Sequence, residues 1–241
     1  MTRREVIARS AAALSVAGVR ANEQPARKLK VVVTGGHPGD PEYGCGGTIA
    51  RYADLGHEVT LVYLNRGEKG CSGKSPEDCG RLRTAEAQAA CRILQAQPVF
   101  ARQVDGEAGV NAASYDDFRA LIEAAKPDIL FTHWPIDNHR DHRAISMLSY
   151  DAWLRLGKTF AFYYYEVSDG EDTFMFAPTD YVDISRTEER KKAACYAHAS
   201  QTPDRFYELQ AQVARFRGVE YGVRQAEAFV RHVQSRRDLL L

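Results

Sequence analysis

The chain has 241 residues, of which 44% are hydrophobic and 27% charged. Those are globular values, and they exclude a disordered or fibrous chain. Lys+Arg 32 against Asp+Glu 32 leaves a formal charge of zero, without the basic excess that marks a nucleic-acid-binding surface. No apolar run reaches the eighteen or so residues needed to span a bilayer, so neither a nucleic acid nor a transmembrane segment is expected.

The N-terminus reads as an address. Arg3-Arg4 precedes a weakly apolar, Ala/Ser-rich stretch over residues 8–19, the shape of a twin-arginine export signal cleaved after Ala21. An amphipathic tail is the alternative. The export reading makes residues 1–21 a signal segment, 22–28 a polar linker and 29–241 one domain in the periplasm; without a signal, the location would be cytoplasmic.

Strands are predicted at 29–34, a β-branched run, and at 58–64, with a helix over 47–55 between them. The segment 65–80 is a long loop, of the size that usually carries function. An Ala-rich helix over 81–94 and a short strand at 98–101 follow. Ser114 with Asp117 predicts a capping box opening a helix to 125. A strand at 128–132, a helix over 141–156 and an aromatic-rich strand at 159–167 come next. Ser185 with Glu188 predicts a capped helix to about 199, and Pro203 opens another. This alternation predicts an α/β fold, Rossmann-like, with a mostly parallel sheet flanked by helices.

The five cysteines do not define a disulfide framework. Cys71 and Cys79 flank a polar loop and are either bridged or two free thiols. Cys45, Cys91 and Cys195 read as small buried hydrophobes.

In such a sheet, ligands bind at the carboxyl ends of the strands. Four of the seven histidines, His37, His133, His139 and His142, lie in two predicted loops of that kind. The first reads Gly36-His37-Pro38-Gly39-Asp40-Pro41-Glu42 and the second His133-Trp134-Pro135-Ile136-Asp137-Asn138-His139-Arg140-Asp141-His142. A His/Asp/His set from two strand ends suits a zinc site with three protein ligands and an open fourth position.

These segments resemble the PIG-L/LmbE-like zinc-dependent N-deacetylases, a family that includes the deacetylases of glycosylphosphatidylinositol, mycothiol and bacillithiol biosynthesis. The match extends to Gly44-Cys45-Gly46-Gly47-Thr48, Asp183-Ile184-Ser185, His198-Ala199-Ser200-Gln201 and Ala226 to Phe229. The resemblance implies His37, Asp40 and His142 as ligands of Zn2+, another divalent metal being possible. It implies His139 as the imidazole that stabilises the oxyanion and protonates the leaving amine, and Asp141 as a carboxylate that fixes an imidazole. Arg66 takes a sugar-contacting position. Asp137 either orients a histidine, contacts substrate or caps a turn; His198 with Gln201 either faces the site or serves a helix end. Glu68 either contacts sugar hydroxyls or is solvated surface, His57 and His232 lie outside the motifs and read as ordinary, and Tyr163-Tyr164-Tyr165 reads as packing with one ring able to stack on a sugar.

One position departs from the family pattern. Its general-base aspartate is Gly39 here, which has no group to accept a proton. Glu42 could replace it as a catalytic base, His139 could act as both base and acid, or the chain could have lost most of its turnover. The expected function is removal of the N-acetyl group from an amino sugar or glycoconjugate through a zinc-activated water. A catalytically impaired carbohydrate-binding protein and an amidase for a larger N-acyl or thiol-conjugate substrate are the alternatives. An oligomer is compatible with this composition.

Overall fold

The computed structural model describes residues 27–168, 170–237 and 239–241. The expected signal segment, and the linker up to residue 26, lie outside the described residues. The chain runs β1 (Lys30–Gly35), α1 (Asp40–Asp54), β2 (Glu58–Tyr63), α2 (Pro76–Leu94), β3 (Gln97–Phe100), α3 (Ala112–Ala125), β4 (Ile129–His133), α4 (Arg140–Arg155), β5 (Ala161–Tyr165), β6 (Asp180–Asp183), α5 (Glu188–Tyr196), α6 (Pro203–Tyr221) and β7 (Ala226–Arg231). The strands form one sheet in the order β3-β2-β1-β4-β5-β7-β6. The first five pair in parallel, and β7 is antiparallel to both neighbours.

Alternation along each strand splits the core into two layers. Val31 and Val33 face a layer with Ile49, Tyr52, Ala87, Ala90 and Phe229. Val32 faces the opposite layer with Phe118, Ile122, Ile145, Leu148 and Trp153. Burial on both faces explains why β1 and β4 read as continuous apolar runs. Strand order reverses between β1 and β4, so the loops leaving their carboxyl ends flank the crevice where such sheets bind ligands.

Helix α1 starts seven residues before its expected beginning. The Gly44-Cys45-Gly46-Gly47 run lies inside it, because bulkier residues would collide with the structure around it. A Cβ on Gly44 would lie 2.3 Å from the Tyr165 ring, and one on Gly47 2.5 Å from Ile184. Helix α2 likewise begins at Pro76, capped by Ser75, whose side chain accepts from the Asp78 backbone N–H, so the functional loop is shorter than expected. Two predicted caps are corrected. Asn111, not Ser114, caps α3, and Ser185 is spent on the Gln225 backbone while α5 starts after Thr187. The 71–79 alternative resolves to a disulfide, and Cys45, Cys91 and Cys195 are free and buried. Among the described residues, no helix is long and apolar enough to cross a membrane.

A buried ion pair joins the late strands to α1. Glu227 on β7 accepts from Lys191 Nζ of α5 at 2.6 Å and from the backbone N–H groups of Gly47 and Thr48 at 2.9 and 2.7 Å. Removing one member of such a pair leaves the other charge buried without compensation. Glu227→Ala is therefore expected to lose about 3–5 kcal/mol of stability, read as a lower urea midpoint; an unchanged midpoint would contradict this role.

Candidate metal centre

Three histidines converge on one carboxylate oxygen. Gly39 adopts φ 113 at the N-cap of α1, a left-handed conformation that glycine tolerates and a side chain does not. The turn it makes brings Asp40 back over the loop, where Oδ2 accepts from the His37 backbone N–H at 2.7 Å. The same oxygen lies 3.3 Å from His37 Nδ1, 3.2 Å from His142 Nε2 and 3.2 Å from His133 Nε2. His142 stands in the first turn of α4, which His139 caps.

Outer carboxylates fix which nitrogen of His37 and of His142 faces inward. His37 Nε2 lies 3.2 Å from Asp105 Oδ1 and 3.3 Å from Asp141 Oδ2, and His142 Nδ1 lies 3.1 Å from Asp137 Oδ1. With those nitrogens donating, His37 Nδ1 and His142 Nε2 present lone pairs beside Asp40, the pattern by which carboxylates orient metal-ligating imidazoles. The same carboxylates draw positive charge to the centre. Burial disfavours charge on His142, yet Asp40 and Asp137 push its pKa up to about 9. Burial also opposes charge on His37, but Asp105, Asp141 and Asp40 raise it well above the ordinary imidazole value. Asp40, despite burial, is held well below the usual carboxylate range by His142, His133 and His37. The cluster is thus a concentration of negative charge that demands a cation, and its N/N/O donors fit a divalent metal.

His133 stands behind this set. It is fully buried, its ring stacks on His142 at 4.1 Å, and burial with the neighbouring His142 lowers its pKa to about 4. His139 faces the cavity and is held neutral by burial and by His37 and His142. Its Nδ1 accepts from the Asp141 backbone N–H at 3.3 Å, which places the proton on Nε2. Among the described residues, the groupings of donors within 4.8 Å of one another are His37/His139/His142, Asp40/His133/His142 and His37/Asp105/Asp141. Asp40, His139 and His142 line a cavity of about 170 Å³, and His37, Asp40 and His139 line an adjoining one of about 340 Å³.

The structure brings His37, Asp40, His139, Asp141 and His142 together and places four other predicted residues elsewhere or in other tasks. Glu42 is fully buried, accepting from the Tyr63 hydroxyl at 2.7 Å and lying 3.1 Å from His198 Nε2. The helical turn after Asp40 points it into the core, so it is no replacement base at the cavity. His198 meets the cavity with its ring, but one nitrogen is committed to Glu42 and the other is buried; it offers substrate no exposed polar atom. Asp137 spends its carboxylate on His142, the His139 N–H and the Thr173 hydroxyl, and is a positioning residue. Arg66 is exposed and lines a separate groove with Glu68, Arg102 and Gln103.

A different arginine reaches the centre. Arg83 of α2 donates to the carbonyls of Pro38 at 2.8 Å and Gly67 at 3.2 Å and lines both cavities. Asp105 and Asp172 also join from loops the sequence reading passed over. No local pattern marks them; only the tertiary fold brings them in. Replacing the shared oxygen is the direct check on the centre: wild-type protein is expected to bind about one divalent ion per chain and Asp40→Asn to bind almost none, by elemental analysis after dialysis. Full occupancy in Asp40→Asn would rule out Asp40 as a ligand.

Comparison with known proteins places this geometry in a family. Residues 32–153 match the profile of PIG-L, GlcNAc-PI de-N-acetylase. The chain is 27% identical over 226 residues to a diacetylchitobiose deacetylase of Thermococcus kodakarensis, covering 88% of this chain and 84% of that one. It superposes with TM-score 0.75 on the N,N'-diacetylchitobiose deacetylase of Pyrococcus horikoshii, at 25% identity over 87% of this chain and 86% of the other. The 4-carboxy-2-hydroxymuconate hydratase of Pseudomonas putida KT2440 superposes with TM-score 0.78 at 22% identity, over 88% of this chain and 100% of that one; that likeness shows the fold alone. With its profile match over half the chain and the His/Asp centre at the carboxyl ends of β1 and β4, this chain belongs to the PIG-L family.

Proposed function

We propose that the protein is a zinc-dependent N-deacetylase that hydrolyses the N-acetyl group of an amino sugar or glycoconjugate. The observation that carries this reading is the Asp40 oxygen between two inward-facing imidazole nitrogens, opening onto a cavity that His139 also lines. The deacetylases among its relatives support the reaction class.

Zinc held by His37, Asp40 and His142 would polarise the acetyl carbonyl and acidify a water. The remaining work belongs to the chain's own side chains. His139 donates from Nε2 to the carbonyl oxygen as negative charge develops there, a task suited to a neutral imidazole held by the Asp141 N–H. Asp137, Asp105 and Asp141 hold the ligand rings in register. The larger cavity, with Lys69, Arg83 and Asp105 on its walls, supplies the mix of donors and acceptors that sugar hydroxyls require.

The Cys71–Cys79 disulfide supports the exported location, since such bridges persist in oxidising compartments. Gly39 favours a second reading, a metal-containing carbohydrate-binding protein without turnover. Amine release from N-acetylglucosamine and N,N'-diacetylchitobiose separates the two. The zinc-loaded protein is expected to release free amine and acetate, and a chelator to stop it. Sugar binding without amine release would establish the second reading.

A further inference from the structure

Amide hydrolysis needs a group that takes a proton from the attacking water, and the residues given a role so far do not provide it. Gly39 has no side chain, and Glu42 is sealed in the core. His139 turns a protonated Nε2 to the cavity, because its Nδ1 accepts from the Asp141 N–H. Asp141 is itself fully buried and holds Asn65 Nδ2, the Gly106 N–H and His37. Asp137 is spent on His142 and Thr173.

Asp105, on the adjoining cavity, holds His37 Nε2 and the Lys69 N–H, and in the 170 Å³ cavity one carboxylate besides Asp40 remains. Asp172, in the loop between β5 and β6, is half-buried and lines the 170 Å³ cavity together with Gly39, His139 and His142. Its loop is clamped to the metal loop. The Asn138 N–H donates to the Asp172 carbonyl at 2.8 Å, and the Thr173 hydroxyl donates to Asp137 Oδ2 at 3.1 Å. Asp172 belongs to none of the groups whose donor atoms approach within 4.8 Å. It therefore sits at the cavity without joining the ligand set, as a base acting on a water between them must.

We propose that Asp172 is the proton acceptor for the attacking water, working from the wall of the cavity that it shares with the empty position at Gly39. The proposal rests on the deacetylase reading. As the water oxygen bonds to the acetyl carbon, one of its protons passes to the Asp172 carboxylate. The C–N bond then breaks, the departing nitrogen takes that proton, and the amine leaves. The second water proton stays with the acetic acid formed and passes to solvent as acetate forms.

The surroundings of Asp172 suit this task. Burial, with repulsion from Asp137, Asp40 and Glu171, outweighs attraction to His142 and raises its pKa to about 6. Tyr43, Arg83, His139 and His198 line the same cavity. A carboxylate base works only while charged, so turnover is expected to fall on the acid side as Asp172 takes up a proton.

Asp172→Asn in the zinc-loaded full chain tests the assignment. The expected result is a kcat lower by about 10²–10⁴-fold, with KM and zinc content retained and the acid limb absent from the residual activity. In Asp172→Ala, added formate is expected to restore part of the rate. In metal-free protein carrying 13C-labelled aspartate, a carboxyl resonance titrating near about 6 is expected in wild type and missing in Asp172→Asn. An active wild type with unchanged kcat in Asp172→Asn overturns the assignment. So does a loss of kcat that keeps the acid limb and resists formate, since that marks a structural role. A wild type that releases no amine overturns the deacetylase reading, and the assignment with it.

Discussion

The site is organised around one oxygen atom. Asp40 Oδ2 takes the His37 backbone N–H and sits within 3.3 Å of ring nitrogens of His37, His133 and His142. It is central because the residues behind the imidazoles are also carboxylates. Asp105, Asp141 and Asp137 hold the far nitrogens of His37 and His142 and leave the near ones facing Asp40. So many carboxylates in a buried space are unfavourable without positive charge among them. That charge comes from protons on the histidines or from a divalent cation, and the second answer also supplies the Lewis acid that amide hydrolysis needs.

The fold serves this convergence. The β1 and β4 loops meet where the strand order reverses, and α1 must start at once after β1 to present Asp40. That demand explains the glycines at the start of α1. Gly39 makes the turn, and Gly44 and Gly47 let the helix lie against Tyr165 and Ile184. The Glu227–Lys191 pair then fixes α1 to β7 and α5 from below.

Much of this was legible in the sequence for physical reasons. Strands buried on both faces leave continuous apolar runs, so β1, β2 and β4 were apparent, and the loops after β1 and β4 concentrate histidine and aspartate. The start of α1 was hidden because a glycine run lowers helix propensity, while its packing partners lie far away in the chain. Strands β6 and β7 were missed, being short and rich in charged residues such as Asp180, Asp183 and Glu227. Within the site, side-chain direction was the unreadable quantity. Glu42 follows Asp40 by two residues, and on a helix that rotation turns it from the cavity into the core. Arg66 and Arg83 differ in the same way. Arg66 sits in the motif-like loop yet points to another groove, whereas Arg83 reaches the centre from an Ala-rich helix. Asp105 and Asp172 carry no local signature at all, since their surroundings come from the meeting of loops distant in sequence.

The measurement that tests this account most directly is anomalous X-ray diffraction from crystals of the zinc-loaded protein. The account predicts a single strong anomalous peak bound by His37 Nδ1, an Asp40 carboxylate oxygen and His142 Nε2. A peak held instead by His37, Asp105 and Asp141, or no peak at this centre, would contradict it.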